Sequence, residues 1–140
     1  MPHTTRFTVD TPERDAMVDI TRRVQDAVSD ADVSAGLVNI FIPHTTAGVT
    51  INENADPDVV RDMLAQLDRM VPWQQSFYRH AEGNSASHVK ASMIGSSATV
   101  HVRGGKLQLG RWQGIYLCEF DGPRTREVWI SADGIRRNDG

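Results

Sequence analysis

From Leu37 to Ile42 nearly every residue is apolar, and Val38, Ile40 and Ile42 are β-branched. A short unbroken run of this kind, ended by Pro43, predicts a central strand covered on both faces. Asn39 is its one polar member. Shorter patterns surround it. Phe7 and Val9 alternate with polar neighbours as a first strand, and Thr11-Pro12 has the form of an N-cap followed by proline at the first helical position. Met17, Ile20, Val24, Ala27 and Val28 then recur at helical spacing, which predicts a long amphipathic helix from Pro12 to about Asp30.

Downstream, Val49-Thr50-Ile51-Asn52 reads as a strand. Asp56-Pro57 repeats the cap-plus-proline signal ahead of Val59, Val60, Met63, Leu64 and Leu67, a second long helix broken by Pro72. A loop over 71–84 leads into a short helix from about Ser85 to Ile94. Ala98, Val100 and Val102 keep period two, and Gly104-Gly105 supplies a tight hairpin into Leu107 and Leu109. Ile115–Phe120 and Glu127–Ser131 complete the pattern across the turn Asp121-Gly122-Pro123. Two long helices, one short helix and about seven strands joined by tight turns predict an α+β fold with a largely antiparallel sheet. The whole of 1–140 reads as one domain. A doubly wound nucleotide-binding fold is disfavoured, because strands do not alternate regularly with helices and no dinucleotide glycine fingerprint or P-loop occurs.

Composition narrows the function classes. With 140 residues and 39% hydrophobic content, the chain can build its core without disulfides or a structural metal. Cys118 is the single cysteine. It lies in the apolar run Tyr116-Leu117-Cys118, where a buried inert thiol is expected, and reduced cytoplasm is the expected compartment. The polar opening Met1-Pro2-His3 has no apolar core of a leader, and no run is long enough to span a bilayer, so neither secretion nor a membrane role is expected. A net charge of −3 excludes a strongly basic nucleic-acid binder. Residues 1–70 carry twelve acids and six bases, net −6, and residues 71–140 carry six acids and nine bases, net +3. The second half is the one suited to an anion.

Three of the five histidines, His44, His80 and His88, lie in polar, turn-rich segments. Three imidazoles meeting from separate loops could hold a divalent transition metal with a position open to water or substrate, although no short zinc spacing is present. Singly, each is an ordinary polar or capping residue. His101 alternates onto an exposed strand face, and His3 belongs to a mobile terminus. His80-x-Glu82-Gly83-Asn84-Ser85, followed by His88 and Lys90, flanks a helix start. There free amides, Ser85, Lys90 and Ser96-Ser97 could bind phosphate, or Asn84 and Ser85 simply cap the helix. Thr45, Thr46, Asn52, Glu53 and Asn54 form a second polar cluster in which Glu53 could act as general base or support a histidine. The alternative is a loop held by its own side-chain hydrogen bonds. Trp112 packs in the core or walls a pocket, and Arg124 and Arg126 could hold a phosphate.

Three segments together, PHTTAGVTINENADPDV at 43–59, HAEGNSASHVKASMIGSS at 80–97 and GGKLQLGRWQGIYLCEFDGPRTR at 104–126, resemble the YjbQ-like family. Its members are also described as secondary thiamine-phosphate synthase enzymes. The resemblance implies a small α+β fold assembled as a homotrimer, with polar residues gathered in clefts near subunit boundaries. It implies a weak thiamine-phosphate synthase that joins a pyrimidine methyl diphosphate to a thiazole phosphate with loss of pyrophosphate. Carried over by position, His44, Glu53, His80, Glu82, Asn84 and His88 match the polar motif. His44, His80 and His88 are then the metal or catalytic set, with a divalent ion such as zinc. Thr45, Asn52, Asn84, Ser85, Lys90, Trp112 and Arg124 are the candidates for binding a small phosphorylated metabolite. The competing expectation is a non-catalytic trimeric module that holds a metal ion or an anionic metabolite.

Overall fold

A computed structural model describes residues 3–137. Met1 and Pro2, on which the polar-opening expectation partly rests, lie outside the described residues. The elements are β1 (His3–Asp10), β2 (Ala16–Asp19), α1 (Thr21–Asp30), β3 (Val33–Phe41), β4 (Ala47–Glu53), α2 (Pro57–Met70), α3 (Ser85–Ile94), β5 (Ser97–Arg103), β6 (Lys106–Leu107), β7 (Gln113–Glu119) and β8 (Thr125–Arg136). The fold is α+β, with two antiparallel sheets rather than one. A five-stranded sheet has the order β1-β8-β3-β5-β6, and a three-stranded sheet has the order β2-β7-β4.

The two sheets share the main core. Val38 and Ile40 of β3, Val100 of β5 and Ile130 of β8 cluster with Val49 of β4 and with Ile115 and Leu117 of β7, and α1 adds Val24 and Val28. Each such side chain, once fully buried, contributes roughly 1.5–3 kcal/mol. Tyr116 and Cys118 of β7, with Phe120 just after it, pack with Ala91 of α3 and with Val60, Leu64 and Leu67 of α2. The helices α2 and α3 therefore cover the far side of the three-stranded sheet. The strand buried on both faces is β7, whose residues Gly114 to Glu119 are all buried.

Five expectations are corrected. The strand β3 is not covered on both faces: Leu37 is 45% and Phe41 37% exposed on its outer side. Asn39, also outward, donates to the Ser97 and Thr99 hydroxyls at 2.9 and 3.2 Å. No helix starts at Thr11-Pro12. The Thr11 hydroxyl donates instead to buried Glu119 at 2.7 Å, and 16–19 pair with β7 as β2. As an edge strand, Met17 and Val18 reach the helix-side and sheet-side clusters respectively, which a helix with one apolar stripe could not do. The first helix starts at Thr21, whose N–H and hydroxyl both donate to Asp19 Oδ1; with 10 residues it equals α3, and only α2, with 14, is long. Instead of a mobile terminus, His3 lies in β1 opposite Ala132. Finally, β8 runs past Ser131 to Arg136. The glycine hairpin is as predicted, with positive φ at Gly104 and Gly105. No helix is long and apolar enough to cross a membrane among the described residues.

Candidate functional site

After Pro43 the chain turns through 44–46 into β4, and the segment behind α3 is bonded to both sides of that turn. Ile42 N–H donates to Ser96 O at 2.8 Å, and Val49 N–H donates to Gly95 O at 3.0 Å. This close approach requires glycine at position 48, where a Cβ would lie 2.5 Å from Gly95 O. Between the turn and the end of α3 opens a cavity of about 440 Å³, lined in part by His44, Thr45, His88, Ser92 and Ser96. His88 also lines a second cavity of about 440 Å³ with Tyr78, His80 and Ser85. The His80 and His88 rings stand edge to face, their centroids 5.4 Å apart. His88 thus stands between the two hollows.

The ring of His44 is anchored from behind: Glu127 N–H of β8 donates to Nε2 at 2.8 Å. Arg126, the preceding residue, is buried and donates to Thr46 O at 3.1 Å and to Thr46 Oγ1 at 2.7 Å. Its guanidinium also pairs with Glu119, Nε donating to Oε1 at 2.8 Å and Nη2 to Oε2. Desolvation and the nearby Arg126 charge lower the pKa of His44 below its ordinary value. Burial alone would raise Glu119, but hydrogen bonds from Arg126, the Asp121 amide and Thr11 outweigh it and hold the carboxyl below its ordinary value. Burial pushes the Cys118 thiol up to about 12, so this buried thiol is an inert core residue.

Several candidates go elsewhere. Lys90 is not an anion ligand: its side chain is 1% exposed, and Nζ donates to Asp15 Oδ2 at 2.7 Å and Asp68 Oδ1 at 3.1 Å. Arg124 donates to Asp121 O and Oδ2, and the same Oδ2 accepts Asn84 Nδ2 at 2.7 Å. Asn84 is therefore a buried tie between α3 and the β7–β8 turn, not a side-chain cap, and its Oδ1 has no donor among the described residues. Ser85 faces the second cavity, and Glu82 is exposed in the loop before α3.

The second polar cluster is split within one chain: Thr45 lines the His44 cavity, whereas Asn52 and Glu53 do not meet the histidines. Glu53 pairs with Gln113 at one end of β4, whereas Ala47 pairs with Glu119 at the other; six steps of strand separate them by about 20 Å. Glu53 Oε2 accepts Asp56 N–H ahead of α2, and Asn52 Oδ1 accepts Glu53 N–H. Trp112, for which the sequence leaves core packing and a pocket wall both open, is 55% exposed at this end and so not a core residue of one chain. Glu119 was not among the sequence candidates. A carboxylate inside the apolar run Ile115–Phe120 is the signal that could have found it, since a charge there needs a buried partner.

The three histidines fit a metal site poorly. His44 Nε2 is already occupied, and no group of three or more His, Cys, Asp or Glu side chains is arranged to hold a metal ion among the described residues. One chain offers at most the His80 and His88 pair.

Comparison with known proteins places these residues in company. The family described as "UPF0047 protein YjbQ-like" matches residues 5–134. UPF0047 protein YugU of Bacillus subtilis is 52% identical over 126 residues, 90% of this chain and 96% of its own. A UPF0047 protein of Methanocaldococcus jannaschii is 45% identical over 92% of this chain and 93% of its own. Among solved structures, an uncharacterized YjbQ/UPF0047 protein of Clostridium acetobutylicum superposes with a TM-score of 0.88 at 52% identity, over 90% of this chain and 97% of that one. A hypothetical protein of Aeropyrum pernix does so with a TM-score of 0.88 at 33% identity, over 94% and 99%.

Proposed function

Because the chain belongs to the YjbQ/UPF0047 family, we propose that it is a weak thiamine-phosphate synthase-type transferase acting on a small phosphorylated substrate. The carrying observation is that His44 and His88, 44 residues apart, line one cavity whose lining includes the hydroxyls of Thr45, Ser92 and Ser96, with His80 against the far side of His88. Transfer with loss of pyrophosphate needs the leaving group's charge stabilised, and a ring already held by a backbone amide, as His44 is by Glu127 N–H, does this at little cost of reorganisation. In this reading the protein is a cytoplasmic homotrimer whose polar clefts lie at subunit boundaries. A divalent ion such as zinc belongs to it only with ligands added to the His80 and His88 pair from outside one chain.

The test is thiamine phosphate formation by His80→Ala and His88→Ala. Both are expected to lose activity by about a hundredfold or more with unchanged thermal unfolding; full activity in both overturns the proposal. The lining of the His44 cavity carries no carboxylate to hold magnesium on a diphosphate. That favours a second reading, a non-catalytic module for an anionic metabolite, which stoichiometric binding without turnover would establish.

A further inference from the structure

We infer that His44 is a neutral hydrogen-bond donor, its proton held on Nδ1 by the backbone of β8, and that it receives a phosphoryl-type oxygen rather than ligating a metal or abstracting a proton. The ligand half of this inference rests on the proposed function; the tautomer half does not.

The tautomer follows from one contact. Glu127 N–H points at Nε2 at 2.8 Å, and an amide N–H only donates, so Nε2 must present its lone pair. A neutral ring then carries its proton on Nδ1. A metal at Nδ1 would need that lone pair, which moves the proton to Nε2 and sets two N–H groups against each other. Proton abstraction through Nδ1 meets the same obstacle. The one ring nitrogen left for a ligand is therefore Nδ1, and it can offer only an N–H.

Arg126 holds this arrangement in place as a positioning residue. Its guanidinium fixes Thr46, two residues beyond His44, through both carbonyl and hydroxyl, and the peptide that follows it supplies the N–H on Nε2. Glu119 locks the guanidinium from the other side. Turn and strand are thus registered by one side chain. The cavity itself suits an acceptor-rich ligand. Thr45, Ser92 and Ser96 add hydroxyls, His88 adds a second ring, and no lining residue is acidic. Phosphoryl oxygens, which only accept, match a set of donors with no carboxylate among them.

Nitrogen-15 NMR of the histidine rings in the full-length protein tests this directly. His44 is expected to show a pyridine-type Nε2 and a pyrrole-type Nδ1, unaltered by added zinc, with inorganic phosphate shifting Nδ1. His44→Asn, which places an amide nitrogen near Nδ1, should keep phosphate affinity within about threefold. His44→Gln, which reaches only the Nε2 position, should lose about tenfold or more, the worth of one hydrogen bond to a charged group. In Arg126→Lys the planar guanidinium that bonds Thr46 and Glu119 together is lost, and the His44 signals are expected to report both tautomers; a single unmixed tautomer there removes Arg126 from the role. A pyridine-type Nδ1, or zinc shifting both ring nitrogens, overturns the tautomer. Phosphate that leaves Nδ1 unmoved overturns the ligand. Failure to form thiamine phosphate while these signals hold overturns the synthase reading and leaves the tautomer and the phosphate contact standing as read directly from the ring nitrogens.

Discussion

His44 and Glu119 both contact the Arg126 segment, and both have folded-state pKa values below their ordinary values of 6.5 and 4.5. As pH falls through 6.5 the unfolded His44 takes up a proton that the folded ring resists, so stability present above 6.5 is lost on acidification. Glu119 acts with the same sign in a lower window: its stabilisation is complete above about 4.5 and is lost as pH falls toward its folded value. The midpoint of denaturant unfolding should therefore fall between pH 7.5 and 5.5, less so in His44→Gln, and fall again below pH 4.5. A midpoint that rises over the first interval contradicts the sign. Lys90 gives a second prediction at this scale. Lys90→Met leaves Asp15, 15% exposed, without its buried cation, so the protein should lose about 2–4 kcal/mol in denaturant unfolding while binding phosphate as before. The sequence shows Lys90 close to a histidine motif and thus misplaces it. Its acids, Asp15 and Asp68, lie 75 and 22 residues away, and no local spacing announces such a pair.

Among the elements, period-two and helical spacing locate most of the fold, and the error at Thr11-Pro12 shows why they are not sufficient. The local cap chemistry is sound, but the hydroxyl it relies on has a better partner in Glu119, and an edge strand on β7 lets Met17 and Val18, each partly buried, pack on opposite clusters where a helix would serve one. Legibility fails where a long-range partner outbids a local one. Gly48 shows the same limit, since nothing in the sequence reveals that α3 ends against it. Gly48→Ala forces a methyl group to 2.5 Å from Gly95 O, a backbone atom that cannot rotate aside. The substitution should cost about 1–3 kcal/mol and widen the gap between the 44–46 turn and the end of α3. Chemical denaturation should report the loss, and phosphate titration should report weaker binding. A variant as stable as the parent would show that α3 can shift freely.

For the whole molecule, the apolar run at Leu37–Ile42 predicts cover on both faces, yet one chain covers only the inner one. The outer face carries Leu37, Phe41 and Trp129, with the Phe41 and Trp129 rings 5.7 Å apart and Arg6 over the indole. That bare apolar row is what the proposed trimer would bury. The same assembly bears on the histidine end and the Asn52–Glu53 end of β4, about 20 Å apart in one chain. They can act together only if the histidine end of one subunit meets the Glu53 and Trp112 end of the next, the head-to-tail contact that closes a three-fold ring. Mixing inactive subunits tests this. His88→Ala and Glu53→Ala chains, refolded together in equal amounts, would rebuild an intact site wherever a His88-bearing chain precedes a Glu53-bearing one. Random assembly makes that about one site in four, so roughly a quarter of the parent's thiamine phosphate formation should return. A site contained within one chain returns none. Trp129→Asp in both chains supplies the control: if this face joins the subunits, light scattering should show monomers and the recovered activity should disappear with the ring.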